Sequence, residues 1–158
     1  MRAGWPGYAV GALLVTLGAR AWLAEPLTVS SDSMNPTLSR GDTVVVEKVG
    51  RPGRGDLVAF HSPQDGELAL KRVVGLPGDR VELRDAELYV NGRRVRESFV
   101  DHSSIDGTYF GPVTVPSRSV FVLGDRRAGS VDSRVYGAVP IGGVVGTVVV
   151  RVWPLLGS

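Results

Sequence analysis

The sequence lacks cysteine altogether and holds only two histidines among its 158 residues. Without cysteine the chain can form no disulfide framework, no thiolate nucleophile and no cysteine-based metal site. The two histidines, His61 and His102, lie in no patterned motif, so each is predicted to be a loop or surface residue. The sequence therefore gives little support to catalysis by histidine.

An excess of charge of one sign is also missing. The net charge is +2, the arginines are scattered, and neither a basic helix nor a zinc-finger spacing accompanies them, which argues against a nucleic-acid partner. The 21 glycines and 10 prolines are not periodic, which excludes collagen-like and low-complexity chains. With 43% apolar and 22% charged residues, we expect one folded domain with its own core.

The first residues form the long apolar run of the sequence. Residues 3–19 carry no charge, and as a helix they would cover roughly 25 Å, slightly less than a hydrocarbon core of ~30 Å. Arg20 can extend its side chain to the headgroups. Trp5 and Trp22 lie near the two ends, as an aromatic belt would have them. This pattern predicts a transmembrane anchor over residues 1–25.

A cleaved secretory signal peptide is the alternative for the same segment, because Met1 and Arg2 precede an apolar stretch. We favour the retained anchor, since it continues without a linker into the first motif described below. Arg2 favours a cytoplasmic N-terminus, whereas Arg20 argues weakly against it.

After Pro26 the pattern is typical of strands, and no stretch of helical length shows a 3.6-residue period. Turns such as Pro77-Gly78 recur along the chain, and Asn91-Gly92 is a strong signal for a tight hairpin. Residues 96–112 are polar and poorly patterned, and we interpret them as a long surface excursion. The pattern favours antiparallel sheets, with candidate strands at residues 43–49, 56–60, 68–74, 81–83, 87–90, 93–95, 119–123 and 144–152.

Three segments are candidates for chemistry: residues 31–38 (SDSMNPTL), 71–79 (KRVVGLPGD) and 124–134 (GDRRAGSVDSR). Each has a purely structural interpretation when taken alone. The first can be a serine-rich turn stopped by proline, and the second a strand whose lysine is a solvated edge charge. The third can be a polar loop in which Asp132 and Arg134 form a surface ion pair.

A catalytic interpretation links the first two segments. A serine hydroxyl is a weak nucleophile and needs an adjacent base. Lysine can be that base if its pKa of ~10.4 falls by several units, which burial in an apolar site can achieve. Lys71 lies between Leu70 and Val73 in an apolar strand, where such desolvation is expected.

Together, in this order and spacing, the three segments resemble the conserved boxes of type I signal peptidases. The similarity runs from about Pro26 to Pro154. It implies peptide-bond hydrolysis through an acyl-enzyme, releasing exported proteins from their signal peptides, with Ser33 as nucleophile and Lys71 as general base. The third box departs from the usual Gly-Asp-Asn-Arg-Asp-Asn-Ser by three replacements: Arg126, Ala128 and Gly129.

The resemblance also implies roles for further residues. The oxyanion would be bound by the Ser33 N–H and the Ser31 hydroxyl, and Ser130 would orient the lysine. A supporting pair and small-residue pockets complete the implied site: Asp132 and Arg134, then Val29, Ser30, Met34 and Leu70. No metal or organic cofactor is implied.

The combined expectation is a mostly β fold, with antiparallel sheets and a partly open barrel over residues 26–158. A small hairpin subdomain is expected at about residues 82–118. The protein would be a monomer in the plasma membrane, single-pass, with its catalytic domain on the extracytoplasmic side and transient contacts to the translocation machinery. Alternatives are a related Ser–Lys peptidase of the conjugation, pilin-maturing or self-cleaving repressor type, or a catalytically silent membrane-tethered module.

Overall fold

The computed structural model describes residues 23–85, 87–100 and 109–153. Within these ranges the chain forms eleven strands, one short α-helix and a 3₁₀ turn at Ile141–Gly143. The elements are β1 (Ala24–Thr28), β2 (Thr43–Glu47), β3 (Leu57–His61), β4 (Leu68–Gly75), β5 (Arg80–Arg84), β6 (Glu87–Val90), β7 (Arg93–Arg94), β8 (Phe110–Thr114), β9 (Ser119–Leu123), α1 (Ser133–Tyr136), β10 (Val139–Pro140) and β11 (Val144–Trp153).

Almost all of the predicted anchor falls outside the described ranges. Strand β1 begins at Ala24, so the last two residues assigned to the anchor belong to a strand. In the part of the chain that the structure describes, no helix combines the length and the apolar character needed to cross a bilayer.

Seven strands form the larger sheet, in the order β1-β2-β11-β3-β4-β9-β10, with every neighbouring pair antiparallel. Alternation explains strand β2, where Val44 and Val46 are buried and their neighbours are not. All five residues of β9 are buried. The prediction of a mostly β fold with antiparallel sheets is confirmed.

Strand β11 joins two halves of this sheet. Its Val148 lies opposite Val46 of β2, and its Thr147 lies opposite Val58 of β3. A glycine is needed in this strand, because a Cβ on Gly146 would lie 2.4 Å from the carbonyl oxygen of Glu47. Strands β1 and β2 are therefore connected to β3 and β4 through β11.

The smaller sheet has the strand order β7-β6-β5-β8 and spans residues 80–114. Its β6–β7 turn is the predicted Asn91-Gly92 hairpin, with φ values of +53° and +76° that suit these two residues. The predicted hairpin is thus extended by two further strands. One buried apolar cluster packs this sheet against the larger one: Val74, Val81, Leu83, Leu88, Val90, Val115, Phe121 and Leu123.

Candidate active site

Ser33 and Lys71 lie in direct contact. Ser33 belongs to the turn between β1 and β2, and Lys71 lies in the middle of β4, opposite Val58 of β3. The Lys71 Nζ donates a hydrogen bond of 2.7 Å to the Ser33 Oγ. Lys71 is only 5% exposed, although an amine at a sheet surface would normally be solvated. The fold therefore brings the predicted nucleophile and the predicted base together.

Burial lowers the pKa of the Lys71 amine, and the carboxylates of Asp132 and Asp125 act in the opposite direction without cancelling this effect. A neutral amine is an acceptor, so the same contact can run in reverse, with the Ser33 hydroxyl donating its proton to Nζ. The geometry and the direction of the pKa shift both suit a general base.

Ser31 lies on the solvent side of the dyad. Its Oγ is 3.2 Å from the Ser33 Oγ, and either hydroxyl can be the donor. A hydroxyl at this distance can turn toward an oxygen that develops next to Ser33. The predicted oxyanion role of Ser31 is compatible with this position.

The third segment packs behind the nucleophile. The Arg126 N–H donates to the Ser33 carbonyl oxygen at 3.0 Å. A Cβ on Gly124 would lie 2.8 Å from this oxygen and 2.2 Å from the Ser130 Oγ, so no larger residue fits there without movement. Gly129 has a φ of +74°, a conformation that glycine adopts without strain and that asparagine tolerates.

Asp132 and Arg134 form the predicted pair. Arg134 donates to both Asp132 oxygens, from Nε at 2.8 Å and from Nη2 at 2.9 Å, and Asp132 is 0% exposed. The carboxylate also accepts from the Gly124 N–H at 3.0 Å and caps α1. Arg134 reaches the carbonyl oxygen of Arg127 at 2.8 Å. The pair thus connects Gly124 at the start of the third segment to Arg134 at its end through hydrogen bonds.

Ser130 is buried, and its Oγ has no hydrogen-bond partner among the residues that the structure describes. The contact with the Lys71 amine that the resemblance implies is therefore not formed here. The hydroxyl lies instead against Gly124. Its orienting role stays a prediction.

The sequence reasoning missed a second ion pair that joins all three segments. Arg72 donates to Asp125 from Nε at 2.8 Å and from Nη2 at 2.6 Å, and Thr37 donates to the same carboxylate at 2.5 Å. Arg72 also reaches the carbonyl oxygen of Gly55 at 2.7 Å. The sequence signal that could have revealed this pair was position, because these residues lie inside the three segments and Arg72 directly follows the predicted base, Lys71.

A cleft of about 400 Å³ opens in front of the dyad. Two strand edges line it that have no further strand partner among the described residues. Strand β1 is the last strand on its side of the sheet, and residues 68–70 of β4 pair with β3 only, since pairing with β9 starts at Arg72. The four predicted pocket residues all line the cleft: Val29, Ser30, Met34 and Leu70.

Charge is present elsewhere in this cleft. The predicted wall residues Val29, Met34 and Leu70 are apolar and buried. The lining also includes Asp65 and Glu67 of the β3–β4 turn, which the sequence reasoning did not select.

The histidines take no part in the described site. His61 ends β3 with an exposed side chain, and its Nδ1 lies 3.1 Å from the Gly66 carbonyl oxygen. The prediction that it is a surface residue is confirmed. His102 lies outside the described residues.

Comparison with known proteins gives a consistent result. The family model described as "Signal peptidase, peptidase S26" matches residues 2–153. A signal peptidase I of Leptolyngbya laminosa is 37% identical over 90% of this chain and 75% of its own length. A signal peptidase I of Bacillus caldolyticus is 36% identical over 95% and 90%, respectively.

A solved structure agrees with these sequences. A signal peptidase I of Enterococcus faecalis V583 superposes with a TM-score of 0.57 and 35% identity, covering 63% of this chain and 97% of that one. The resemblance drawn from the three segments is confirmed. The chain belongs to the signal peptidase family, peptidase S26.

Proposed function

We propose that this chain works as a signal peptidase I in which Ser33 attacks the peptide carbonyl and Lys71 removes the serine proton. The observation that carries the proposal is the contact between the Lys71 amine and the Ser33 hydroxyl at the base of an open cleft. The lowered pKa of Lys71 supports the role of base, because only the neutral amine can accept the proton.

The reaction then proceeds in two halves. Ser33 Oγ bonds to the carbonyl carbon while Lys71 Nζ takes its proton, and the oxyanion accepts hydrogen bonds from the Ser31 hydroxyl and the Ser33 N–H. The lysine ammonium returns the proton to the leaving amine, and the C–N bond breaks. Water attacks the remaining ester and gives a proton to Lys71. When the bond between the carbonyl carbon and Ser33 Oγ breaks, the lysine ammonium returns this proton to Oγ, and the acid product leaves.

The substrate would bind as an added strand. Unpaired backbone groups of β1 and of residues 68–70 face the cleft from two sides, so an extended peptide can bond to both edges. The apolar walls of Val29, Met34 and Leu70 leave room for small side chains. We therefore expect small residues at the first and third positions before the cut, the Ala-X-Ala pattern of signal peptides.

The remaining parts of the proposal concern location. Members of this family are membrane-associated. We infer that residues 1–25 include a single anchor, which would hold the cleft on the extracytoplasmic side, near bound signal peptides and the translocation machinery. We also infer that the larger sheet curves as a partly open barrel, and that the protein acts as a monomer.

Cleavage of a preprotein tests the function directly. The purified full chain would be incubated with a preprotein whose signal peptide ends in Ala-X-Ala, and the products would be located by mass spectrometry. We expect a single cut after the second alanine, and no product with Ser33→Ala. A wild-type protein that leaves the preprotein intact would point to a silent module, and a cut elsewhere would favour another Ser–Lys peptidase.

A further inference from the structure

A buried ion pair connects the smaller sheet to the third segment. Glu97 lies in the segment that follows β7, and its Oε1 accepts a hydrogen bond of 2.6 Å from the Arg127 Nη2. Each of the two side chains is only 2% exposed. Arg127 also donates from Nε to the Gly124 carbonyl oxygen at 3.0 Å. Glu97 thus reaches, through one arginine, the glycine that packs against Ser33.

A second contact comes from the same segment. The ring of Phe99 lies under the Arg72 guanidinium, 3.9 Å from its carbon to the ring centroid. Arg72 follows the proposed base and holds Asp125 with two hydrogen bonds. Glu97 and Phe99, two residues apart, therefore each contact an arginine behind the dyad.

Stability alone does not explain an ion pair at this place. Burying two charges costs desolvation, and an apolar pair of similar volume often gives an equally stable protein. Within the described part of the chain, the Glu97 Oε2 and the Arg127 Nη1 have no hydrogen-bond partner. The pair does orient the Arg127 side chain. The Glu97 carboxylate fixes the plane of the guanidinium, and its Nε therefore points at the Gly124 carbonyl oxygen.

We propose that Glu97 is a positioning residue for peptide-bond cleavage, acting through Arg127 on the loop that supports Ser33. Phe99 assists by holding Arg72 in place. Neither residue lines the cleft in front of the dyad. The inference rests on the proposed roles of Ser33 and Lys71. The smaller sheet would thus influence the chemistry, although the sheet contributes no residue to the dyad.

The first test is Glu97→Gln in the full chain, which keeps the shape and removes the charge. We expect kcat to fall by about 10- to 100-fold, the cost of a small displacement at a reacting centre. KM should stay within about twofold, because the strand edges of the cleft are untouched. The matched control is Glu87→Gln, which breaks the exposed Glu87–Arg94 pair of the same sheet and should leave kcat unchanged.

A double-mutant cycle separates positioning from mere stabilisation. Glu97→Gln, Arg127→Lys and the double variant would be compared in kcat, with the folded fraction of each measured by denaturant unfolding. If the two residues act as a unit, the double variant should lose no more than the worse single one. Additive losses, or a wild-type kcat for folded Glu97→Gln, would overturn the proposal.

Should Glu97→Gln fail to fold, Phe99→Leu decides. This variant keeps an apolar side chain but removes the ring from Arg72, and we expect kcat to fall about threefold to tenfold at unchanged KM. A folded Phe99→Leu protein with wild-type kcat would reject the part assigned to Phe99, and a folded Arg127→Lys protein with wild-type kcat would reject the part assigned to Glu97. Failure of the proposed function is recognised separately, because then the wild type itself would not cleave the preprotein.

Discussion

The Ser33–Lys71 dyad has a front, which is the side of the cleft, and a rear, where the third segment packs. The two sides differ in the hydrogen bonds and ion pairs that their polar groups form. In front, Ser31 and Lys71 line an open cleft, and the Ser31 Oγ lies 3.2 Å from the Ser33 Oγ. Behind, three buried carboxylates each bind one arginine: Asp125 with Arg72, Asp132 with Arg134, and Glu97 with Arg127. The rear is fixed by directed charge pairs, while the front can still rearrange around a bound peptide.

This difference explains how a weak nucleophile is held in place. The ion pairs reach the backbone around Ser33 through Gly124 and Arg126, so the oxygen of the proposed nucleophile would be in place before substrate binds. The Ser31 hydroxyl, in front, needs no strong partner until the oxyanion forms. The rear would therefore orient Ser33, and the front would stabilise the negative charge of the oxyanion.

The largest loss of activity should follow substitution of Lys71, which lies between the front and the rear. Lys71→Met should abolish cleavage, because no other basic side chain of the described residues contacts Ser33. It should also raise the melting temperature near neutral pH, since the folded state no longer desolvates an amine. The lowered pKa of Lys71 means that the folded protein binds fewer protons than the unfolded chain between the folded pKa and ~10.4.

Stability of the wild type should accordingly rise with pH through this window, and the rise should be weaker in Lys71→Met. Thermal unfolding of both proteins at several pH values measures this. A variant that cleaves at near-normal rate, or that melts well below the wild type, would contradict the assignment of a buried base.

The front is tested by Ser31→Ala. Loss of a single oxyanion donor lowers kcat by about 10²- to 10³-fold in known cases, and we expect the same range here with little change in KM. Steady-state kinetics with a signal-peptide substrate measures both. Ser39→Ala is the control, since this hydroxyl lies in the same turn but bonds to Asn35. A raised KM at unchanged kcat would assign Ser31 to substrate positioning instead.

The rear is tested by Asp132→Asn, for which we expect a smaller loss of kcat, about 10- to 100-fold. Removing one partner of a buried pair should lower the free energy of unfolding by about 3–5 kcal/mol. The Asp132 charge raises the pKa of Lys71, so its removal should move the ascending limb of the pH–rate profile to lower pH.

A pH–rate series and a urea titration measure these effects. The control, His61→Ala, should leave the profile unchanged because His61 lies away from the dyad. A limb that moves to higher pH in Asp132→Asn, or one that vanishes in His61→Ala, would show that the base has been assigned incorrectly.

Local chemistry determined how much of the fold could be predicted. The Asn91-Gly92 turn depends mainly on the backbone preferences of these two residues, so the hairpin was predicted correctly. Strand β8 was missed, because Gly111 and Pro112 interrupt its pattern and its partner β5 is distant in sequence. Helix α1 has only four residues, too few to show a helical period.

The candidate site likewise has a part that could be predicted from the sequence and a part that could not. The dyad was predicted because the residues and their order carry the resemblance. The pairing of Glu97 with Arg127 was not, since neither residue stands out alone and thirty positions separate them. Asp65 and Glu67 were overlooked because a polar turn gives no sign that it borders a cleft.

The position of β11 has a consequence for the order of events during synthesis. The turn carrying Ser33 follows β1, Lys71 lies in β4, and the sheet connects the two halves only through a strand that begins at Val144. A nascent chain can fold each hairpin early, yet the larger sheet cannot close until residues 144–153 have been made. Ser33 and Lys71 would therefore be held together in the sheet only once strand β11 has been made, long after both residues have themselves been synthesised.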